Sequence, residues 1–169
     1  MKEKIGRAQV LAAAAVLRKY KEGKAVLDKR IVSNEQWWKM RHWGEIGYEP
    51  DETRPQPASA WLFNSIANKH ADAMDNIPEP SVLPREQGDE ECARQLSLLL
   101  PAVLERCGYE KLYSDGWWYK LKNGTACQAV VWDPVLEDGR GDIAIRNIDI
   151  LNLFWQPGIK DLEESANLF

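Results

Sequence analysis

Apolar positions recur at helical spacing along the first two thirds of the chain and at strand spacing afterwards. The opening 22 residues are rich in Ala, Leu, Lys, Arg and Glu and contain no Pro, a composition that favours helix on propensity alone. Within them Ile5, Val10, Leu11, Ala14 and Leu17 fall near one stripe, and Gly23 reads as the stop. A second helix is predicted from Ser33 or Asn34, either of which can cap it, and carries Trp37, Trp38, Met40, Arg41 and Trp43. Residues 44–57, GEIGYEPDETRPQP, are punctuated by Gly and Pro and read as a loop or extended connection. In ASAWLFNSIANKHADAMD, Leu62, Ile66, His70 and Ala73 share a face with Phe63, Ala67 and Met74 beside it, which predicts a helix buried on that side.

Residues 76–88 hold three prolines and are expected to be irregular or extended. Asp89 can then cap a long helix with the stripe Leu96, Leu99, Leu100, Val103 and Leu104, bent at Pro101 and ended by Gly108. Residues 109–122 predict another helix with Leu112, Trp117, Trp118 and Leu121 inward. The period changes after Asn123-Gly124: TACQAVVWD and DIAIRNID have strand composition and length, and ILNLFW continues in that manner. A closing helix is expected near Asp161, where DLEESANLF places acidic residues in the first turn, as the helix dipole favours. Helices first and a small antiparallel sheet afterwards make the chain α+β.

Composition adds three constraints. With 44% hydrophobic and 28% charged residues over 169 positions, the chain is globular and long enough for one proper core. Its eight tryptophans outnumber the tyrosines and the phenylalanines, and rings in such numbers usually fill cores or protein contacts. The three cysteines, Cys92, Cys107 and Cys127, are odd in number and lack CxxC spacing, which suits a reducing compartment and argues against a disulfide framework or zinc. No apolar run reaches the roughly 20 residues that span a bilayer. The stretch AQVLAAAAVL imitates a signal-peptide core, but Arg7 precedes it, Gln9 interrupts it and LRKYKEGK follows at once.

Charge is unevenly spread. Residues 1–30 hold nine Lys/Arg against three Asp/Glu, a local +6, and the remainder holds thirteen against twenty-three, a local −10. An acidic body disfavours a tight grip on DNA phosphates, which needs clustered cations. The basic arm, with Lys2, Lys4, Arg7, Arg18, Lys19 and Lys21, leaves room for contact with DNA or an acidic partner, set against the plainer reading of a solvated helix face.

The stretch WDPVLEDGRGDIAIRNID offers candidate chemistry and withdraws it. Asp133, Glu137, Asp138 and Asp142 suggest calcium ligands, yet with Gly139 at the sixth loop position the first and twelfth fall on Pro134 and Ile145, which supply no side-chain oxygen. Arg140-Gly141-Asp142 spells an adhesion tripeptide, which the absence of a disulfide framework and of a secretion signal makes out of place. Two strands flanking a Gly-containing loop account for every residue. His42 and His70 lie on separate predicted helices without a carboxylate or cysteine at ligand spacing, and His70 reads as a hydrogen-bonded packing residue. No GxxxxGK[ST] or GxGxxG is present, Lys122-Asn123-Gly124-Thr125 reads as a turn, and Glu90-Glu91 and Glu163-Glu164 sit where helix dipoles explain them. There is no catalytic constellation, and no cofactor or metal is called for.

Taken in order, the segments NEQWWKMRHW, WLFNSIANKHADAMDNIPEPSVLPRE, YSDGWWYKLKNGTACQAVVWDP and GDIAIRNIDILNLFWQPGIKDLEESANLF resemble one family, the portal proteins of tailed bacteriophages. The similarity runs over residues 34–169, about four fifths of the chain, and residues 1–30 fall outside it. Composition and charge make residues 1–30 a basic N-terminal helical arm, and the resemblance implies the N-terminal part of a portal wing over 33–169, with stem, clip and crown supplied by later sequence. It further implies a homo-oligomeric ring, commonly of twelve subunits, at one capsid vertex of the virion, assembled in the host bacterial cytoplasm. Double-stranded DNA would pass through without sequence-specific binding, driven by terminase, with scaffold and tail-adaptor proteins as further partners and no membrane. Complete portals run to several hundred residues, so a chain that ends in mid-pattern at ANLF is expected to be a truncated gene product or a fragment.

On that reading the positions expected to matter for packing or subunit contact are Trp37, Trp38, Trp61, Trp117, Trp118, Trp132 and Trp155, with core packing the competing role for each. Two other readings remain open: a nucleic-acid or assembly adaptor using the basic helix, and a small enzyme with His70 or Cys127 in a cleft.

Overall fold

The computed structural model describes residues 6–46 and 55–169. The fold is α+β, with six helices and one two-stranded antiparallel sheet among the described residues. The chain divides into two compact units, Met1–Ser59 with Asp149–Phe169, and Ala60–Ile148.

In the first unit, helix α1 (Arg7–Trp38) runs through both Gly23, the expected stop, and Ser33-Asn34, the expected start of a second helix. Packing explains the first correction. A Cβ at residue 23 would lie 2.8 Å from the Cβ of Pro157, so glycine is the residue that lets the C-terminal segment lie against the helix. The contact offsets the cost, about 1 kcal/mol, of a glycine in mid-helix. The second correction has a similar origin, because the Ser33 hydroxyl donates to the Glu45 carboxylate instead of capping a helix. Glu45 belongs to the short helix α2 (His42–Glu45), which carries Trp43 apart from Trp37 and Trp38. The Trp43 indole donates to the Pro57 carbonyl at 3.0 Å, and much of the connection expected over 44–57 lies outside the described residues.

The buried face of α1 is its middle, Tyr20, Lys24 and Ile31 at helical spacing, whereas Val10, Leu11 and Ala14 of the predicted stripe are exposed and Ile5 lies outside the described residues. Against that face the C-terminal segment folds without the strand expected for ILNLFW. Asp149 accepts from the Leu151 amide at 2.9 Å and starts a single 3-10 turn, Ile150–Asn152, before a strand can form. Phe154 then pairs with Phe169, exchanging backbone hydrogen bonds of 2.8 and 3.0 Å, and the Phe169 ring meets Tyr20 edge-on at 5.8 Å. The closing helix is likewise reduced to one 3-10 turn, Leu162–Glu164. Ser165 ends it: its hydroxyl accepts from the Gln156 amide at 3.1 Å and donates to the Asn167 carbonyl at 2.6 Å.

The second unit is arranged around helix α5 (Tyr109–Asn123), which packs on α3 (Trp61–Met74), α4 (Glu90–Arg106) and strand β2 (Asp142–Ile148). Gly108 separates α4 from α5 and Gly124 ends α5, both with left-handed backbone. On α3, Ile66 is buried and Ala67, His70, Ala73 and Met74 half-buried, but Leu62 and Phe63 are exposed. The inward stripe of α4 is Ala93, Ser97, Leu100 and Leu104, so the predicted Leu96 and Leu99 point outward. Ser97 sets this rotation: its hydroxyl accepts from the Val82 amide at 2.9 Å and lies 3.2 Å from the Val82 carbonyl, docking the proline-rich segment on that stripe.

Strand β1 (Cys127–Asp133) pairs antiparallel with β2 in a register that sets Cys127 opposite Ile148 and Asp133 opposite Asp142. The connection of residues 134–141 contains a short turn, α6 (Leu136–Gly139), in which Glu137 and Asp138 take left-handed backbone. Gly141 closes it at φ 83°, where a Cβ would also lie 2.6 Å from the Trp132 indole nitrogen. Position and chirality both require glycine there.

Candidate assembly surfaces

Two of the four carboxylates that first suggested a metal loop, Asp142 and Asp133, are held by arginines. Arg106, at the end of α4, lies 2.8 Å from an Asp142 oxygen, and Arg146 pairs with Asp133 on one face of the hairpin. Among the described residues no group of three or more His, Cys, Asp and Glu could hold a metal ion. His70 stacks on Trp118 at 4.0 Å and 13°, and its Nε2–H donates to the Ser114 carbonyl at 3.2 Å with the Ser114 hydroxyl at 3.1 Å. That geometry ties α3 to α5. A cleft of about 530 Å³ near the α4–α5 junction is lined by Met74, Glu105, Tyr109 and Lys111 among others, and neither His70 nor Cys127 lines it. Cys92, Cys107 and Cys127 form no disulfide, and the Cys107 thiol donates to the Ile143 carbonyl at 3.4 Å.

The tryptophans divide between the two units and between inward and outward roles. In the first unit Trp37 stacks on His42 at 4.7 Å, Trp38 is half-buried, and Trp155 lies 5.6 Å from the Lys24 ammonium. In the second unit Trp118 packs on His70, and Trp117 meets Tyr113 edge-on at 6.2 Å with the Lys120 ammonium 4.1 Å from its ring. Trp61 and Trp132 behave differently, at 82% and 63% exposure. Trp132 shares the hairpin face with Val130, 71% exposed, and with Ile143 across the ladder. The other end of that face is covered: Gln128 donates to Asn147 at 3.1 Å, and Asn147 donates to the α5 carbonyl of Leu112 at 2.9 Å.

The basic helix also divides. Lys2 and Lys4 lie outside the described residues, and Arg7, Arg18, Lys19 and Lys21 are exposed, with the Lys21 ammonium 5.2 Å from the Phe154 ring. Sequence reasoning missed the cation that matters most to the first unit. Lys24, only 5% exposed, pairs with Asp28 at 2.8 Å, donates to the Ile150 carbonyl and lies 4.8 Å from the Phe154 ring. Its position four residues after Tyr20 and seven before Ile31 was the available signal, since an apolar helix face with a lysine at its centre calls for a partner.

The core is thin. Among the described residues the buried apolar side chains are Tyr20, Ile31, Ile66, Ala93 and Ile150, and no large side chain is completely buried. No helix among the described residues is long and apolar enough to cross a membrane. No known protein family, curated protein or solved structure matches the chain.

Proposed function

We propose that this chain is a wing portion of a tailed-phage portal protein, a structural subunit of the ring through which double-stranded DNA enters and leaves the capsid. The ordered motifs over residues 34–169 support the reading, and the observation that carries it is the uncovered apolar surface. Trp61, Val130 and Trp132 stand in water on a chain whose own core is a handful of side chains. Exposed apolar side chains grouped on one face mark interaction surfaces, and subunits of obligate assemblies carry such faces until they assemble. The work proposed is mechanical, so no catalytic residue is assigned. The net charge of −4 fits a body past which phosphates slide without being held. Terminase, scaffold and tail-adaptor proteins are the further partners on this reading, and the virion vertex is its place. Immunogold labelling of purified phage particles tests it: label at one vertex per particle is expected, and particles without label, or with label over the whole shell, contradict it.

A second reading has its own observation, namely that Arg7, Arg18, Lys19 and Lys21 are exposed on α1 with no carboxylate between the first and the last. Four phosphate contacts would give a log–log salt slope of about −3 to −4 for short duplex DNA. Such a slope, falling to about half when Arg18 and Lys19 become Gln, identifies a nucleic-acid adaptor, and binding absent at moderate salt removes that reading.

A further inference from the structure

Two apolar faces among the described residues are exposed, and they complement one another. On the first half of α1, Arg7, Leu11, Ala14 and Arg18 follow at helical spacing with Val10 beside them, an apolar centre bracketed by guanidinium groups. Val10 and Leu11 are both largely exposed. From Arg7 to Arg18 the helix extends about 16 Å. The hairpin offers Val130, Trp132 and Ile143 over strands of seven residues, about 20 Å long, beside an exposed tip bearing Glu137, Asp138 and Arg140. β1 presents Val130 and Val131 with no lysine or proline to guard it, a strand that invites a partner.

Charge favours the same pairing. The helix from Arg7 to Lys21 carries four cations and no carboxylate. The hairpin, residues 127–148, holds four Asp/Glu against two Lys/Arg, a net −2, with Glu137 and Asp138 exposed at its tip. Guanidinium groups at both ends of the helix face also suit a face containing an exposed indole, on which a cation can stack.

We infer that the hairpin face, centred on Val130 and Trp132, is a docking site for the first half of α1 of a second copy of this chain. The two faces differ, so the contact is head-to-tail and propagates from copy to copy, as a closed ring requires. The inference rests on the ring reading and deepens it by naming the partner of the exposed hairpin.

Two variants test it by complementation. Leu11→Glu spoils the helix face and leaves the hairpin, while Val130→Lys spoils the hairpin and leaves the helix; both positions are exposed, and circular dichroism checks that each variant is folded. Mass photometry is run on the wild type, on each variant and on an equimolar mixture. The expected result is higher oligomers for wild type, single copies for each variant alone, and a species of twice the monomer mass in the mixture that grows no further. Wild-type assembly persisting in both variants overturns the inference and leaves the ring reading standing. If Leu11→Glu alone dimerises and Val130→Lys does not, the hairpin pairs with itself, and the inference is wrong. A mixture that stays monomeric while wild type assembles also overturns it, because the two faces then do not meet between copies. A wild type that is monomeric at every concentration removes the ring reading and the inference together, and duplex DNA binding abolished by Leu11→Glu would make nucleic acid the occupant.

Discussion

Replacing Gly23 by Ala sets two effects of opposite sign against each other. Helix propensity alone favours the substitution by about 1 kcal/mol in the interior of a long helix such as α1. Against it stands the Pro157 ring: the new methyl would lie 2.8 Å from the proline Cβ and closer still to its Cγ. Ordinary carbon contacts are about 3.5–4.0 Å, and forcing a methyl into such a gap typically costs about 1–3 kcal/mol. A proline ring cannot swing aside as a lysine tail can, so the clash wins and the substitution destabilises by up to about 2 kcal/mol. For a chain of this size that lowers Tm by a few degrees, at about 2–4 °C per kcal/mol. Strain concentrates in the C-terminal segment, so the amides of Phe154 and Phe169, which bond each other, should exchange faster with deuterium than those of α5. In a Pro157→Gly background the obstacle is gone, and Gly23→Ala should stabilise by the propensity term alone. A rise in Tm for Gly23→Ala in the wild-type background, with those two amides still protected, would refute the packing argument for the uninterrupted helix.

Three further outcomes follow from named contacts. Lys24→Met strands the half-buried Asp28 and should cost about 2–3 kcal/mol in urea unfolding, with Asp28→Asn in the same chain recovering part of the loss; additive effects would show that the pair is not coupled. Asn147→Leu removes the donor to the Leu112 carbonyl and the acceptor for Gln128, so hydrogen exchange in β2 should quicken and stability fall by about 1–2 kcal/mol, whereas unchanged exchange would place the sheet's support elsewhere. Hydrogen bonds from Arg94 and then Gln95 hold the Glu91 carboxyl below its ordinary value, so their contribution is present above that value and lost as pH falls through the folded one. NMR titration should therefore show the first turn of α4 loosening in acid, an effect absent from Glu91→Gln.

The elements whose signals are local were legible in the sequence. Asn123-Gly124 marks the end of α5, the strand composition and length of TACQAVVWD and DIAIRNID give β1 and β2, and the order of elements gives α+β. The misreadings share one cause, that a local signal was overruled by a partner distant in sequence. Gly23 is a stop by propensity and a packing position because Pro157 lies against it. Ser33 is a cap by type and a donor to Glu45 in fact. ILNLFW has strand composition, but Asp149 turns the chain first and leaves Phe154 to pair with Phe169. The rotation of α4 depends on Ser97 finding the Val82 backbone, which no periodicity of leucines encodes. The candidate surface was half legible: the excess of tryptophan pointed to contacts, but nothing in the sequence separates Trp132, left in water, from Trp118, stacked on His70.

Electron microscopy of the protein at its natural length is the most direct measurement of the central claim, that this chain completes its surface by joining copies of itself into a portal ring. Closed rings of constant subunit number around a central channel are the predicted result. Compact single copies at every concentration, with no ring in any class of particles, would contradict it.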